Sequence, residues 1–184
     1  MNSVRHRKRQ IVRFTLIDTP VGRIGLAGSD QGIFNVNFRV TSQDRYVELL
    51  EANGVEVEPD DGSVFQAGEE IRAYLSGTVK RFTVKLDLRG VPKFSSAVLR
   101  VTRQIPFGQT STYGAIAASI GAPQSSRAVG NALGRNPVPI LIPCHRVVAA
   151  GGKLGGFTGG LAMKRALLSL ERHAIDGTVV RPTS

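Results

Sequence analysis

The single cysteine of this 184-residue chain, Cys144, is followed directly by a histidine in the run Pro143-Cys144-His145-Arg146-Val147-Val148. A lone cysteine is commonly inert packing, and a lone histidine is commonly structural. Side by side, in a polar and proline-marked stretch after the apolar run Ile140-Leu141-Ile142, they favour a nucleophile and its base. Thiolate is the reactive form. A positive Arg146 and a proton-accepting His145 are therefore expected to lower the Cys144 pKa from its ordinary value of about 8.5. Adjacent side chains on an extended segment point to opposite sides, so a bridging water is the natural relay between sulfur and imidazole. The histidine then needs an orienting acceptor. No carboxylate occurs between Asp87 and Glu171, and the second half of the chain holds only Glu171 and Asp176. This points to a relay of Cys144, water, His145 and Glu171, with Asp176 a weaker candidate. A surface ion pair of Glu171 with Arg172 or Lys164 is the competing reading.

Between cysteine and glutamate lies Gly151-Gly152-Lys153-Leu154-Gly155-Gly156-Phe157-Thr158-Gly159-Gly160, with six glycines in ten residues. The spacing of a nucleotide-binding P-loop is absent. A loop of this kind is expected to wrap closely round a flat ligand, with Phe157 as a stacking surface and Thr158 as a hydrogen-bond donor.

Charge is divided unevenly along the chain. Residues 1 to 89 carry 13 basic and 12 acidic side chains, whereas residues 90 to 184 carry 11 basic and two acidic ones. The net +10 therefore resides almost wholly in the second half and suits a polyanionic partner there. One cysteine permits neither an intramolecular disulfide nor a multi-cysteine zinc site, and a reducing, cytoplasmic setting is the expectation. No apolar run approaches the length that spans a bilayer, so no membrane partner is expected.

The elements that must position these residues follow from periodicity. Residues 1 to 10, with Arg5, Arg7, Lys8 and Arg9, read as a disordered basic arm. Residues 11 to 40 alternate apolar and polar types between glycine-containing turns, predicting short antiparallel strands. Val64, Ala67, Ile71 and Leu75 predict a helix, and Phe82, Val84, Leu86 and Leu88 a further strand. This first unit, 11 to 88, reads as a small α+β domain, with a linker at 89 to 93. From 94 to 176 a mainly helical domain follows: one helix from Phe94 to Ile105, another from about Thr112 to Ile120, and a third from Ser125 or Ser126 to Leu133. The last two form a helix-turn-helix. The third helix presents small residues, Ala128, Asn131 and Ala132, between Arg127 and Arg135, a surface suited to close approach to a narrow groove. Leu161, Leu167, Leu168 and Leu170 mark a final helix ending at Glu171. Residues 177 to 184 read as a flexible tail.

The segment from Phe94 to Glu171, above all Pro143-Cys144-His145-Arg146-Val147 with Arg127-Ala128-Val129-Gly130 and Asn136-Pro137 upstream, resembles the O6-alkylguanine-DNA alkyltransferases. The resemblance implies that Cys144 takes a methyl or other alkyl group from O6 of guanine, secondarily O4 of thymine, in a single irreversible turnover assisted by His145 and Glu171. It implies that Tyr113 donates a proton or hydrogen bond to the departing base, and that Arg127 fills the stack left by a rotated nucleotide. The helix bearing Ala128, Gly130, Asn131 and Arg135 would lie in the minor groove, with Thr112 beside it on the DNA. Asn136 is implied as a hinge, and Val147, Phe157, Thr158 and Lys164 as parts of the base pocket. The implied partner is double-stranded DNA bearing O6-alkylguanine, met by a monomer of bacterial or archaeal type that acts at the nucleoid, with cooperative assembly on DNA left open. No cofactor or metal is implied. A non-enzymatic lesion sensor lacks the nucleophile that Cys144 supplies, and a cysteine hydrolase would turn over. Two departures stand out: Phe157 replaces a frequent tyrosine, and Ser95-Ser96-Ala97-Val98-Leu99 replaces a Gln-rich, Trp-containing helix start.

Overall fold

Alternation in the first forty residues does yield strands. β1 (Ile11–Thr19), β2 (Gly22–Ser29) and β3 (Gly32–Asn37) form antiparallel neighbours in a computed structural model that describes residues 11–52, 54–60 and 62–182. The basic arm expected over 1–10 lies outside the described residues. The sheet is not the wholly antiparallel one expected, because β4 (Glu56–Pro59) pairs in parallel with the outer edge of β1, giving the order β3-β2-β1-β4. A parallel pair needs a crossover, and α1 (Gln43–Glu51), capped by the Ser42 hydroxyl, supplies it. Neither α1 nor β4 was anticipated from the sequence.

α2 (Ser63–Leu75) lays Val64, Ala67, Ile71 and Tyr74 on the sheet. Gly68 allows the close approach, since a Cβ there would stand 2.8 Å from Ile17 Cγ2. The strand expected over Phe82 to Leu88 is reduced to a single rung, Ile33 to Leu86. The edge of β3 is shared: Ile33 bonds to the 85–87 segment, whereas Val36 N–H donates to the Pro137 carbonyl in the second half of the chain (2.8 Å). One ladder cannot continue where another segment has taken the donors.

The linker expected at 89–93 turns directly into α3 (Lys93–Arg103). It is anchored rather than loose, because Asp87 accepts from Arg89 and Ser29 and is thereby held well below the usual carboxylate range. β5 (Ser111–Thr112) leads into α4 (Tyr113–Ser119), whose N-cap Thr112 accepts from Ala115 N–H. α5 (Ser126–Gly134) completes the helix-turn-helix. A 3₁₀ turn, Cys144–Arg146, feeds β6 (Val147–Val148), parallel to β5, and α6 (Leu161–Leu170) follows the glycine-rich loop.

Of the flexible tail expected over 177–184, residues 177–182 are instead part of a hairpin and 183–184 lie outside the described residues. β7 (His173–Asp176) and β8 (Val179–Pro182) form a hairpin. Val180 is buried with Val148, Leu154 and Leu168, a satellite core that ties the hairpin to α6 and the glycine loop. One larger core runs through both halves, joining Ile24, Leu26 and Ile71 to Leu99, Val129 and Ile142. Each such side chain contributes about 1.5–3 kcal/mol on burial, so the halves stabilise one another. Among the described residues no helix is long and apolar enough to cross a membrane.

Candidate active site

Cys144 is delivered by a tight proline-bounded loop. Ile142 N–H donates to Val138 O (2.9 Å), Cys144 N–H to Ile142 O (2.8 Å), and Ile140 is forced to φ 72° while fully buried. A β-branched residue rarely adopts that conformation, and the surrounding packing must enforce it. Asn136, just past α5, binds this loop from within. Its Nδ2 donates to Ile142 O (2.9 Å) and Cys144 Sγ (3.2 Å), and its Oδ1 accepts from Val138 N–H (3.1 Å).

The thiol is not activated in the way its neighbours suggested. Burial pushes it up to about 11, against the pull of the Asn136 bond and the nearby Lys164 charge. Arg146 does not contribute as expected because its guanidinium is occupied elsewhere: Nε and Nη2 bind Glu171, and Nη1 donates to Ile105 O (2.6 Å). The resting pair is therefore a neutral thiol beside a histidine.

His145 is completely buried, with Nε2 3.0 Å from Glu171 Oε1 and 3.2 Å from the Tyr74 hydroxyl. Burial would raise the Glu171 carboxyl, but His145 and Arg146 hold it down at about 2. A carboxylate only accepts, so Nε2 carries the proton and Nδ1 the lone pair. Nδ1 has no hydrogen-bond partner among the described residues. Burial also lowers the His145 pKa in spite of Glu171, which keeps the imidazole neutral, with the Nδ1 lone pair available, near neutral pH. Glu171 is thus no surface ion-pair residue; Tyr74, His145, Arg146 and Gly108 N–H all donate to it.

Lys164 proves structural in its bonding. Its buried ammonium donates to the carbonyls of Val147 (2.7 Å), Gly156 (3.1 Å) and Leu154, pinning the glycine loop against β6, and burial lowers it to about 8. The pinned loop closes a cavity of about 370 Å³ lined by Tyr113, Gly130, Leu133, Cys144, Phe157 and Thr158. That is room for a small flat ligand with the sulfur in its wall. Gly155 is required here, since a Cβ would stand 2.6 Å from the Tyr113 hydroxyl. Tyr113 is half-buried and stays protonated, its pKa raised by burial. Phe157 stands edge-on to His145 with ring centroids 6.3 Å apart. The Thr158 hydroxyl donates to Gly134 O (3.2 Å), joining the loop to the end of α5.

On α5, Val129 and Leu133 face the core as expected, and Arg127, Ala128, Asn131 and Arg135 are exposed on one side. Ala132 is corrected from an outward to a buried position, because it lies three residues after Val129 on the same stripe. Gly130 packs against the Tyr113 ring. Thr112 is half-buried, with its hydroxyl used as the α4 cap.

Tyr74 carries no local sign of a role in the site, since residues 64, 67, 71 and 75 satisfy the α2 stripe without it. The spacing 64, 67, 71, 74 was available, and a phenol on an apolar stripe demands a polar partner.

Two family models divide the chain between them. The 6-O-methylguanine DNA methyltransferase ribonuclease-like domain matches residues 12–88, and the DNA binding domain of the same name matches residues 93–173. A methylated-DNA-protein-cysteine methyltransferase of Mycobacterium tuberculosis is 42% identical over 162 residues, 88% of this chain and 93% of the relative. One from Methanosarcina acetivorans is 39% identical over 163 residues, covering 86% and 97%. Among solved structures, Mycobacterium tuberculosis OGT in complex with DNA matches with TM-score 0.72 and 41% identity, covering 88% of this chain and 92% of that one. The O6-methylguanine-DNA methyltransferase of Pyrococcus kodakaraensis matches with TM-score 0.64 and 28% identity, covering 87% and 98%.

Proposed function

The chain belongs to the 6-O-methylguanine DNA methyltransferase family, and from that premise we propose that Cys144 is its alkyl acceptor, with His145 as base and Glu171 as the group that orients it. The protein repairs DNA by direct reversal, moving the alkyl group from O6 of guanine to a cysteine and being consumed in the act. The observation that carries the assignment is the position of the chain's one sulfur nucleophile in the wall of a cavity of about 370 Å³, with a buried, neutral histidine following it in the chain.

The chemistry balances without a cofactor. Cys144 Sγ forms a bond to the alkyl carbon as the carbon–O6 bond breaks, and the electron pair returns to the guanine oxygen. The thiol proton passes through a bridging water to Nδ1 of His145, leaving an imidazolium that Glu171 stabilises. A thiol at about 11 gives up its proton only as the transfer proceeds, which ties deprotonation to a correctly seated base. The Tyr113 hydroxyl, kept protonated by burial, donates to the departing guanine and stabilises the charge it develops. The resulting thioether carbon has no comparable leaving group, and no second cysteine exists to accept it. One molecule therefore repairs one lesion.

Reaching a base inside a duplex requires rotating it out. The exposed small face of α5 enters the minor groove, Arg127 fills the vacated stack, and Ala128, Asn131 and Arg135 follow the backbone. Asn136 holds the end of α5 to the cysteine loop and acts as the hinge between recognition and chemistry. We take the protein to work as a monomer in a reducing, cytoplasmic compartment, a setting in which a lone thiol stays free.

Incubation with a duplex carrying O6-methylguanine is expected to add one methyl group to the intact protein, mapped to the Cys144 peptide, with lesion loss equal to protein added. Continued turnover, or unchanged protein with the lesion intact, overturns the assignment. Arg127→Ala is expected to slow repair of duplex DNA by about 10²-fold, the order of a few kcal/mol of lost unstacking support. Transfer from free O6-benzylguanine should change less than threefold. Equal losses on both substrates would remove Arg127 from base rotation.

A further inference from the structure

A buried phenol hydroxyl without a partner is costly, and phenylalanine fills the same space. Tyr74 is fully buried in the shared core, with its ring held by Phe82 (centroids 5.3 Å apart) and Phe107 (6.1 Å). Packing alone thus asks for no oxygen at this position. The oxygen nevertheless reaches across from α2, in the half of the chain where the sequence showed no chemistry. It lies 2.6 Å from Glu171 Oε1, 97 residues away in sequence, and 3.2 Å from His145 Nε2.

The donor and acceptor inventory at this point has one solution. Glu171 is ionised and accepts only, so the phenol must give its single proton to Oε1. Its oxygen is then left to accept, with the Arg146 guanidinium also beside it, and the Nε2–H of His145 lies between the two oxygens, 3.0 Å from the carboxylate and 3.2 Å from the phenol. Three groups from three distant parts of the chain close a triangle that fixes the plane of the imidazole, with Nδ1 on its far edge.

We infer that Tyr74 is a positioning residue of the transfer reaction: its hydroxyl clamps Glu171 Oε1 and the His145 Nε2–H together, so that Nδ1 is presented as the base that takes the Cys144 proton. The inference rests on the assignment of Cys144 and His145 made above. Burial and the Glu171 charge both keep the phenol protonated, so the donated proton is present throughout the working pH range. The charged or titratable groups that bear on His145 are Glu171, Arg146, Lys164, Cys144 and Tyr74 itself. Of these, Tyr74 alone is supplied by the first half of the chain.

Tyr74→Phe in the full chain keeps the ring and removes the oxygen. Single-turnover transfer from a duplex carrying O6-methylguanine is expected to slow about tenfold at neutral pH. The acid limb of its pH profile should move to higher pH, because loss of the short bond to Oε1 leaves more negative charge facing Nε2–H. Site-specific 3,5-difluorotyrosine at position 74, a stronger donor of the same shape, should retain transfer and move the limb the opposite way. It also preserves the test should Tyr74→Phe fail to fold. A rate within twofold of the parent with an unmoved acid limb in the folded phenylalanine variant, or no limb shift in the fluorinated protein, overturns the inference. Absence of transfer by the parent protein in the same assay would instead overturn the assignment of Cys144.

Discussion

Cys144→Ala protein, mixed in excess with duplex DNA carrying O6-methylguanine, is expected to retain the DNA and leave every lesion intact. Nothing on the exposed face of α5 depends on the sulfur, so affinity in a gel-shift titration should stay within about threefold of the parent, roughly 0.6 kcal/mol. The fold should survive as well. Asn136 Nδ2 loses Sγ but retains the Ile142 carbonyl, and the cysteine is small and already packed among apolar neighbours. The variant should therefore behave as a stable lesion-binding protein, and a trapped complex of this kind separates recognition from chemistry. Any lesion loss with this variant, or any methyl group found on another residue, would contradict the assignment outright.

Glu171→Gln is expected to damage the fold and the reaction together. Four groups donate to this carboxylate, and the Arg146 guanidinium is buried against it. An amide of the same shape turns donors toward donors and leaves a buried cation unpaired, a loss of about 3–5 kcal/mol in unfolding free energy. Transfer should fall by about 10²-fold or more, since the imidazole loses both its orientation and the charge that stabilises its protonated form. The stability profile carries a separate signature. The carboxyl sits at about 2 in the fold, below its ordinary value of about 4.3 in an unfolded chain. Its contribution is fully present above that ordinary value and is lost as pH falls toward 2. Denaturant titrations across this window should show the decline in the parent and a weaker one in Glu171→Gln. Superimposable curves would mean that Glu171 is not the buried anion the bonding describes.

The contrast between these residues explains what was readable in advance. The helix-turn-helix emerged from the apolar spacing of residues 112–133, a local signal. Cys144 and His145 are adjacent, and the scarcity of acids after Asp87 left few partners to choose from. Arg146 has a different task from the one its place beside Cys144 suggests, because its counter-ion lies 25 residues away and such a pairing is set by the fold. The thiol shifted opposite to expectation for the same reason: neighbouring residue types suggested positive potential, whereas burial is a property of the whole core. Tyr74 shows the limit most clearly. On α2 it is one more large side chain on an apolar stripe, and only tertiary structure brings its hydroxyl to Glu171. The Phe82–Leu88 segment failed differently, since its alternation was genuine but the edge it would pair with was shared with Pro137. The hairpin after α6 depends on Val180 finding a satellite core that polar-rich local composition does not announce.

A protein that acts once is vulnerable to distraction. Peroxides, quinones and free alkylating agents all consume thiolates, and any of them would disable the molecule without repairing anything. With its thiol pushed above the ordinary cysteine range by burial, the resting protein holds less reactive thiolate near neutral pH than an ordinary exposed cysteine does. The same burial that leaves the resting Cys144 unactivated thereby shields it from stray electrophiles, holding its one reaction in reserve until a damaged base fills the cavity.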